Sequence, residues 1–102
     1  MSDEDYPSED VLTRIRSMDP AGALDCARAH WHWPDRVSET LRLEEATLLR
    51  AEPGDRYVRF ATGGWSGNES IISALHGNRS VSVLCWQLSA RGGLHIYRYP
   101  AP

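Results

Sequence analysis

One stretch constrains the fold more than any other: Ala61-Thr62-Gly63-Gly64-Trp65-Ser66-Gly67-Asn68-Glu69-Ser70-Ile71-Ile72-Ser73-Ala74-Leu75. Upstream of it, residues 56–62 alternate polar with aromatic and β-branched side chains, which is the pattern of a strand. Downstream, Ile71, Ile72 and Leu75 recur at helical spacing and Gly77-Asn78 offers a stop. A helix is therefore expected over 69–76, with Asn68 or Ser66 as its cap. The chain has to pass from strand to helix through a loop that sets three glycines around one tryptophan. Ordinary connectors rarely carry a large aromatic there, so this loop is the first place to look for a site.

The rest of the chain supplies partners for that unit. Ser8-Glu9-Asp10 reads as a helix start, with acids placed to favour the N-terminal dipole, and Val11, Leu12 and Ile15 form its apolar face. Asp19-Pro20 starts a second helix, whose buried face is Leu24, Ala27 and Trp31 and which Pro34 stops. Asp35 is placed to cap a further short helix across Val37, Thr40 and Leu41. Residues 41–52 fit helix or strand equally. Glu52-Pro53-Gly54-Asp55 is a turn signal, expected to close a hairpin with the 56–62 strand. Alternation then predicts a strand over 80–89, a turn at Arg91-Gly92-Gly93 and a returning strand over 94–99. The sum is an α+β domain over residues 8–102, behind a frayed acidic tail over 1–7. N-terminal helices pack on a small, mostly antiparallel sheet of three to four strands, with one helix inserted after the glycine-rich loop.

Charge and composition narrow the function classes. All eleven basic side chains are arginine, and residues 1–55 carry thirteen acids against six of them. Residues 56–102 reverse the balance, with five arginines and the single acid Glu69. The net charge of −3 and the sparse basic residues argue against direct nucleic-acid binding. No apolar run approaches the roughly 18 residues needed to span a bilayer, and the acidic start lacks the features of a signal peptide. A cytoplasmic protein without membrane contact is expected. Its two cysteines, Cys26 and Cys85, lack metal-type spacing and read as buried thiols.

The segment Thr62-Gly63-Gly64-Trp65-Ser66-Gly67-Asn68-Glu69, followed by Ile71-Ile72-x-Ala74-Leu75, Trp86 and Arg91-Gly92-Gly93, resembles a group of small uncharacterised proteins of tailed bacteriophages and prophages. The likeness covers residues 57–99, and residues 1–50 match only as a helical N-terminal part. Where many of those relatives have two arginines before the Gly-Gly, this chain has Ala90-Arg91. The resemblance implies a phage-type accessory protein and carries no activity with it.

Candidate chemistry centres on Thr62, Gly63, Gly64, Trp65, Ser66, Gly67, Asn68 and Glu69, with Trp86 and Arg91 beside them. As a contact surface for a host protein, the loop would present Trp65 as an anchor on a stiff scaffold. As an anion or nucleotide cradle, it would offer N–H groups of Gly63, Gly64 and Gly67 at a helix N-terminus, with Arg59 or Arg91 as countercharge. It lacks the Lys-Ser/Thr ending of a P-loop, and Glu69 would repel a phosphate. As a purely architectural turn, it would fold Trp65 back onto Arg91-Gly92-Gly93. His30-Trp31-His32-Trp33-Pro34 lacks the helical spacing of a metal pair and reads as a helix end packing Trp31 and Trp33 into the core. Gly64-Trp65-Ser66-Gly67-Asn68 misses the closing glycine of a nucleophile elbow. The expectation is a non-enzymatic protein without cofactor or metal, acting by binding a host protein; a nucleotide or anion is the alternative partner.

Overall fold

The computed structural model describes residues 6–100, and the first five residues of the expected tail lie outside the described part. The domain is α+β. Helices α1 (Glu9–Ser17) and α2 (Pro20–Ala29) come first, then a 3-10 turn (Pro34–Arg36), a two-residue strand β1 (Val37–Ser38) and a short helix α3 (Leu43–Leu48). Strand β2 (Tyr57–Ala61), helices α4 (Ser66–Gly77) and α5 (Arg79–Leu84), and strands β3 (Trp86–Ala90) and β4 (Leu94–Arg98) follow. The four strands form one antiparallel sheet in the order β1-β2-β4-β3.

Local chemistry sets the first two helices. The Ser8 hydroxyl accepts the Val11 N–H at 3.2 Å and the Asp19 carboxylate accepts that of Gly22 at 3.1 Å, so each helix has one orphan donor satisfied at its start. Leu12 and Ile15 of α1 and Ala23, Leu24 and Ala27 of α2 turn inward against Ile71, Ile72 and Leu75 of α4. Val58 and Phe60 of β2 and Tyr97 of β4 close the same core from the sheet. Register follows from this demand: Val58 pairs with Tyr97 and Phe60 with His95, so the apolar face of β2 meets its counterpart on β4. Cys26 and Cys85 are both buried and free.

Several expectations are corrected. Helix α2 ends at Ala29, well short of Pro34, because the chain turns at His30 to drive Trp31 into the core, where its indole donates to the Ala61 carbonyl at 3.2 Å. The helix expected behind Asp35 is a single 3-10 turn leading into β1, since Val37 and Ser38 pair with Phe60 and Arg59. The turn at Pro53-Gly54 exists, with the Asp55 N–H donating to the Glu52 carbonyl at 3.0 Å, but it closes no hairpin. What precedes it is α3, and β2 pairs with β1 and β4 instead.

The strand expected over 80–89 is half helix. Asn78 causes the change: its side-chain amide donates to the Ile15 and Met18 carbonyls at 2.8 Å each, and its oxygen accepts the Val81 N–H at 3.2 Å. One buried residue thereby caps α5 and staples it to the end of α1. The alternation of Val81 and Val83, which looks like a strand, is overruled by that long-range bond. Val83 and Leu84 are left 70% and 58% exposed.

Helix α3 packs differently from the rest. None of its residues is buried, and Leu43 and Leu48 face solvent. It is held to the sheet by Glu45, whose carboxylate takes both arms of the Arg59 guanidinium at 2.7 and 2.9 Å. Partial burial pushes the Glu45 carboxyl up, but the bonds from Arg59 and from the Arg42 N–H outweigh it and hold the group below its ordinary value.

Candidate functional site

Thr62, the residue after β2, is fully buried and organises the loop. Its N–H donates to the Gly93 carbonyl at 3.0 Å, and its own carbonyl accepts from the Trp65 N–H at 3.2 Å and from the Asn68 side chain at 3.3 Å. Its hydroxyl accepts the Gly64 N–H at 3.3 Å. A side chain at Gly93 would collide with that hydroxyl, so the Arg91-Gly92-Gly93 turn meets the loop through backbone. Gly63 and Gly64 both have left-handed φ, at 63° and 77°, which two consecutive residues with side chains would resist.

The glycines also make room for rings. A Cβ on Gly63 would lie 2.7 Å from the indole of Trp33. A Cβ on Gly67 would overlap the six-membered ring of Trp65, which supplies all three of its nearest atoms. Each of these two glycines is therefore the seat of one tryptophan. Gly64 has open space where its side chain would be, so its φ alone accounts for the residue type.

Asn68 is fully buried and does not cap α4, which starts at Ser66 with Trp65 in the cap position and no side-chain cap bond. Instead its oxygen accepts the His32 N–H at 2.9 Å and its nitrogen donates to the His32 carbonyl at 3.0 Å. This paired amide fixes the 31–33 segment against the loop. The His32 ring meets both indoles at tilted angles, 4.5 Å from Trp33 and 4.4 Å from Trp65, and the two indoles lie 6.4 Å from each other. Tyr6 meets Trp65 edge-on at 5.5 Å, and its hydroxyl lies 3.4 Å from those of Ser66 and Ser70. Hydrogen bonding with those two serines lowers the Tyr6 pKa.

A strip of four rings results: Tyr6, Trp65, His32 and Trp33. Trp33 and Tyr6 are its most exposed members, at 40% each, and the Arg36 guanidinium lies 5.8 Å from the Trp33 ring. The Trp33 backbone sits at φ 64°, ψ 73°, a region costly for a bulky residue. The strain places the ring outward, over Gly63.

Of the residues singled out from sequence, the structure brings Thr62, Gly63, Gly64, Trp65, Ser66, Gly67 and Asn68 together. Glu69 follows them on the exposed first turn of α4. Trp86 and Arg91 stand apart. Trp86 begins the edge strand β3, where its indole donates to Ser89, and Arg91 is exposed in the β3–β4 turn with no ion pair among the described residues. The Trp65 ring packs on Gly67 and His32. Trp33 is not a core residue, whereas Trp31 is. Tyr6, His32 and Trp33 were missed from sequence. The His-Trp-His-Trp run was a usable signal, but nothing local says which indole goes inside.

Chemically the site can stack and anchor. The Gly64 and Trp65 N–H groups are used within the loop, the Trp65 ring covers Gly67, and Arg59 is held by Glu45. Among the described residues no three His, Cys, Asp or Glu side chains are grouped to hold a metal ion, and no helix is long and apolar enough to cross a membrane. No protein-family model, curated protein or solved structure matches the chain.

Proposed function

We propose that this chain is a phage- or prophage-type accessory protein that acts by binding a host protein in the cytoplasm, with the ring strip as its contact surface. The observation that carries this reading is Trp33: a strained backbone holds a large ring outward, and the glycine beneath it leaves room for that ring alone. Trp and Tyr dominate binding hot spots because they bury much area at low entropic cost, and here both indoles are braced in advance. The likeness of residues 57–99 to phage and prophage proteins supports the biological setting, in which the partner belongs to defence, transcription or replication. A nucleotide or anion finds weaker support, since two loop N–H groups and Arg59 are already engaged.

The test is affinity capture from a bacterial host lysate with wild type, Trp33→Ala, Trp65→Ala and a control at exposed Leu43→Ala on α3. One host protein held by wild type and by the control, and bound at least tenfold more weakly by both tryptophan variants, is the expected result. Equal capture by all four proteins would overturn the assignment of the surface. A thermal-shift response to nucleotides or phosphate that disappears in Gly64→Val would favour the anion reading instead.

A further inference from the structure

A second cluster lies where α4 passes the β3–β4 hairpin. His76, in the last turn of α4, sits 6.1 Å ring to ring from His95 on β4, 6.2 Å from Trp86 and 6.0 Å from Tyr97. The Tyr97 hydroxyl lies 3.2 Å from His76 Nε2, and the Ser89 hydroxyl lies 2.8 Å from His95 Nδ1. Tyr97 is fully buried, and the described residues give its hydroxyl no other partner. Its proton therefore goes to Nε2, which makes His76 a neutral imidazole with its hydrogen on Nδ1. Ser89 accepts the Trp86 indole N–H at 2.9 Å and also bonds His95 Nδ1, as donor to the neutral ring or through its second lone pair.

We infer that His76 and His95 form a proton-operated latch that holds the edge strand β3 against β4 and α4 while both rings are neutral and loosens it when they gain protons. Protonation turns each acceptor nitrogen into an N–H donor. The buried Tyr97 hydroxyl would then lose the acceptor for its proton. Two imidazolium charges at this separation also repel each other. Burial lowers the pKa of both rings, and for His95 the neighbouring His76 lowers it further while Glu69 opposes. His76 keeps an exposed edge, so protons reach it without unfolding.

The surroundings offer little compensation. Glu69 is the carboxylate of α4 whose charge reaches His95, and β3 is uncharged throughout. Helix α1 brings Arg16, which lies along Gly77 beside His76, and α5 starts with Arg79 and places Ser82 on the His76 carbonyl.

NMR titration of the imidazole resonances in the intact chain, with amide exchange of β3 and β2 at pH 7.5 and 5.5, tests the latch. We expect both rings to titrate below the ordinary value of about 6.5. After correction for the intrinsic rate, protection of β3 should fall more than that of β2, by up to about tenfold per ring at pH 5.5. His76→Gln with His95→Gln should remove that difference. Titration of both rings at or above about 6.5 would overturn the latch, as would equal loss of protection in β2 and β3. The wild-type titration decides the matter even if the double variant folds poorly.

Discussion

The two ends of this molecule are built from the same residue types and held by different means. At the loop end, Trp33 and Trp65 are seated on glycines and fixed by Asn68, which bonds only to backbone. At the edge end, Trp86 is fixed by a relay of side chains, Ser89 and His95, with His76 and Tyr97 alongside. Backbone partners do not titrate and cannot turn away, so the bonds of Asn68 should be brittle to substitution and indifferent to mild acid. Side-chain partners can do both, so the edge end should tolerate substitution and respond to pH. Placement of an exposed tryptophan thus says little by itself; what braces it decides how it can be used.

The sharpest way to break the contrast is at Asn68. Replacing it with alanine leaves the His32 N–H, the His32 carbonyl and part of the Thr62 carbonyl without their partner, and we expect about 3 kcal/mol of lost stability in urea unfolding. Gly63→Ala comes next, at about 2 kcal/mol, because it adds a left-handed residue and a collision with Trp33. Tryptophan fluorescence should shift in both variants. A Ser89→Ala change removes one bond each from Trp86 and His95 in an exposed setting, and should cost at most about 1 kcal/mol. If Ser89→Ala proved as damaging as Asn68→Ala, the contrast would collapse.

Acid gives the smaller, selective effect. The folded-state pKa values of His76 and His95 lie below their unfolded ones, so the unfolded chain binds the extra protons first. Their stabilisation is complete above the unfolded value and falls away as pH drops below it. The urea midpoint should therefore decline between pH 7.5 and 5.5 in wild type, and decline less in the His76→Gln, His95→Gln protein. Glu45 and Glu39 stabilise the fold above the ordinary carboxylate range and lose that contribution only at lower pH, as their depressed carboxyls protonate.

Much of the frame was legible because it rests on local chemistry. Ser8 and Asp19 cap the helices they were expected to cap, β2 and β4 lie where alternation puts them, and Gly92-Gly93 turns the last hairpin. What escaped is what distant residues decide. Helix α5 depends on Asn78 reaching back to Ile15 and Met18, and no local pattern at Val81 or Val83 shows that. The loop stood out by its composition, but its glycines looked like conformational freedom or phosphate cradling. Two of them are spaces for rings, one of which comes from residue 33, and only the folded chain brings it there.

The most direct test is a double-mutant cycle between Gly67 and Trp65, read by urea unfolding. In wild type, Gly67→Ala drives a methyl into the indole and should cost about 2 kcal/mol. With Trp65→Ala in place the seat is empty, and the same change should stabilise by up to about 1 kcal/mol, since alanine favours a helix over glycine. That reversal of sign is what a seat for the ring requires. An equal cost in both backgrounds would show that Gly67 serves something other than Trp65, and the seated-ring surface would fall with it.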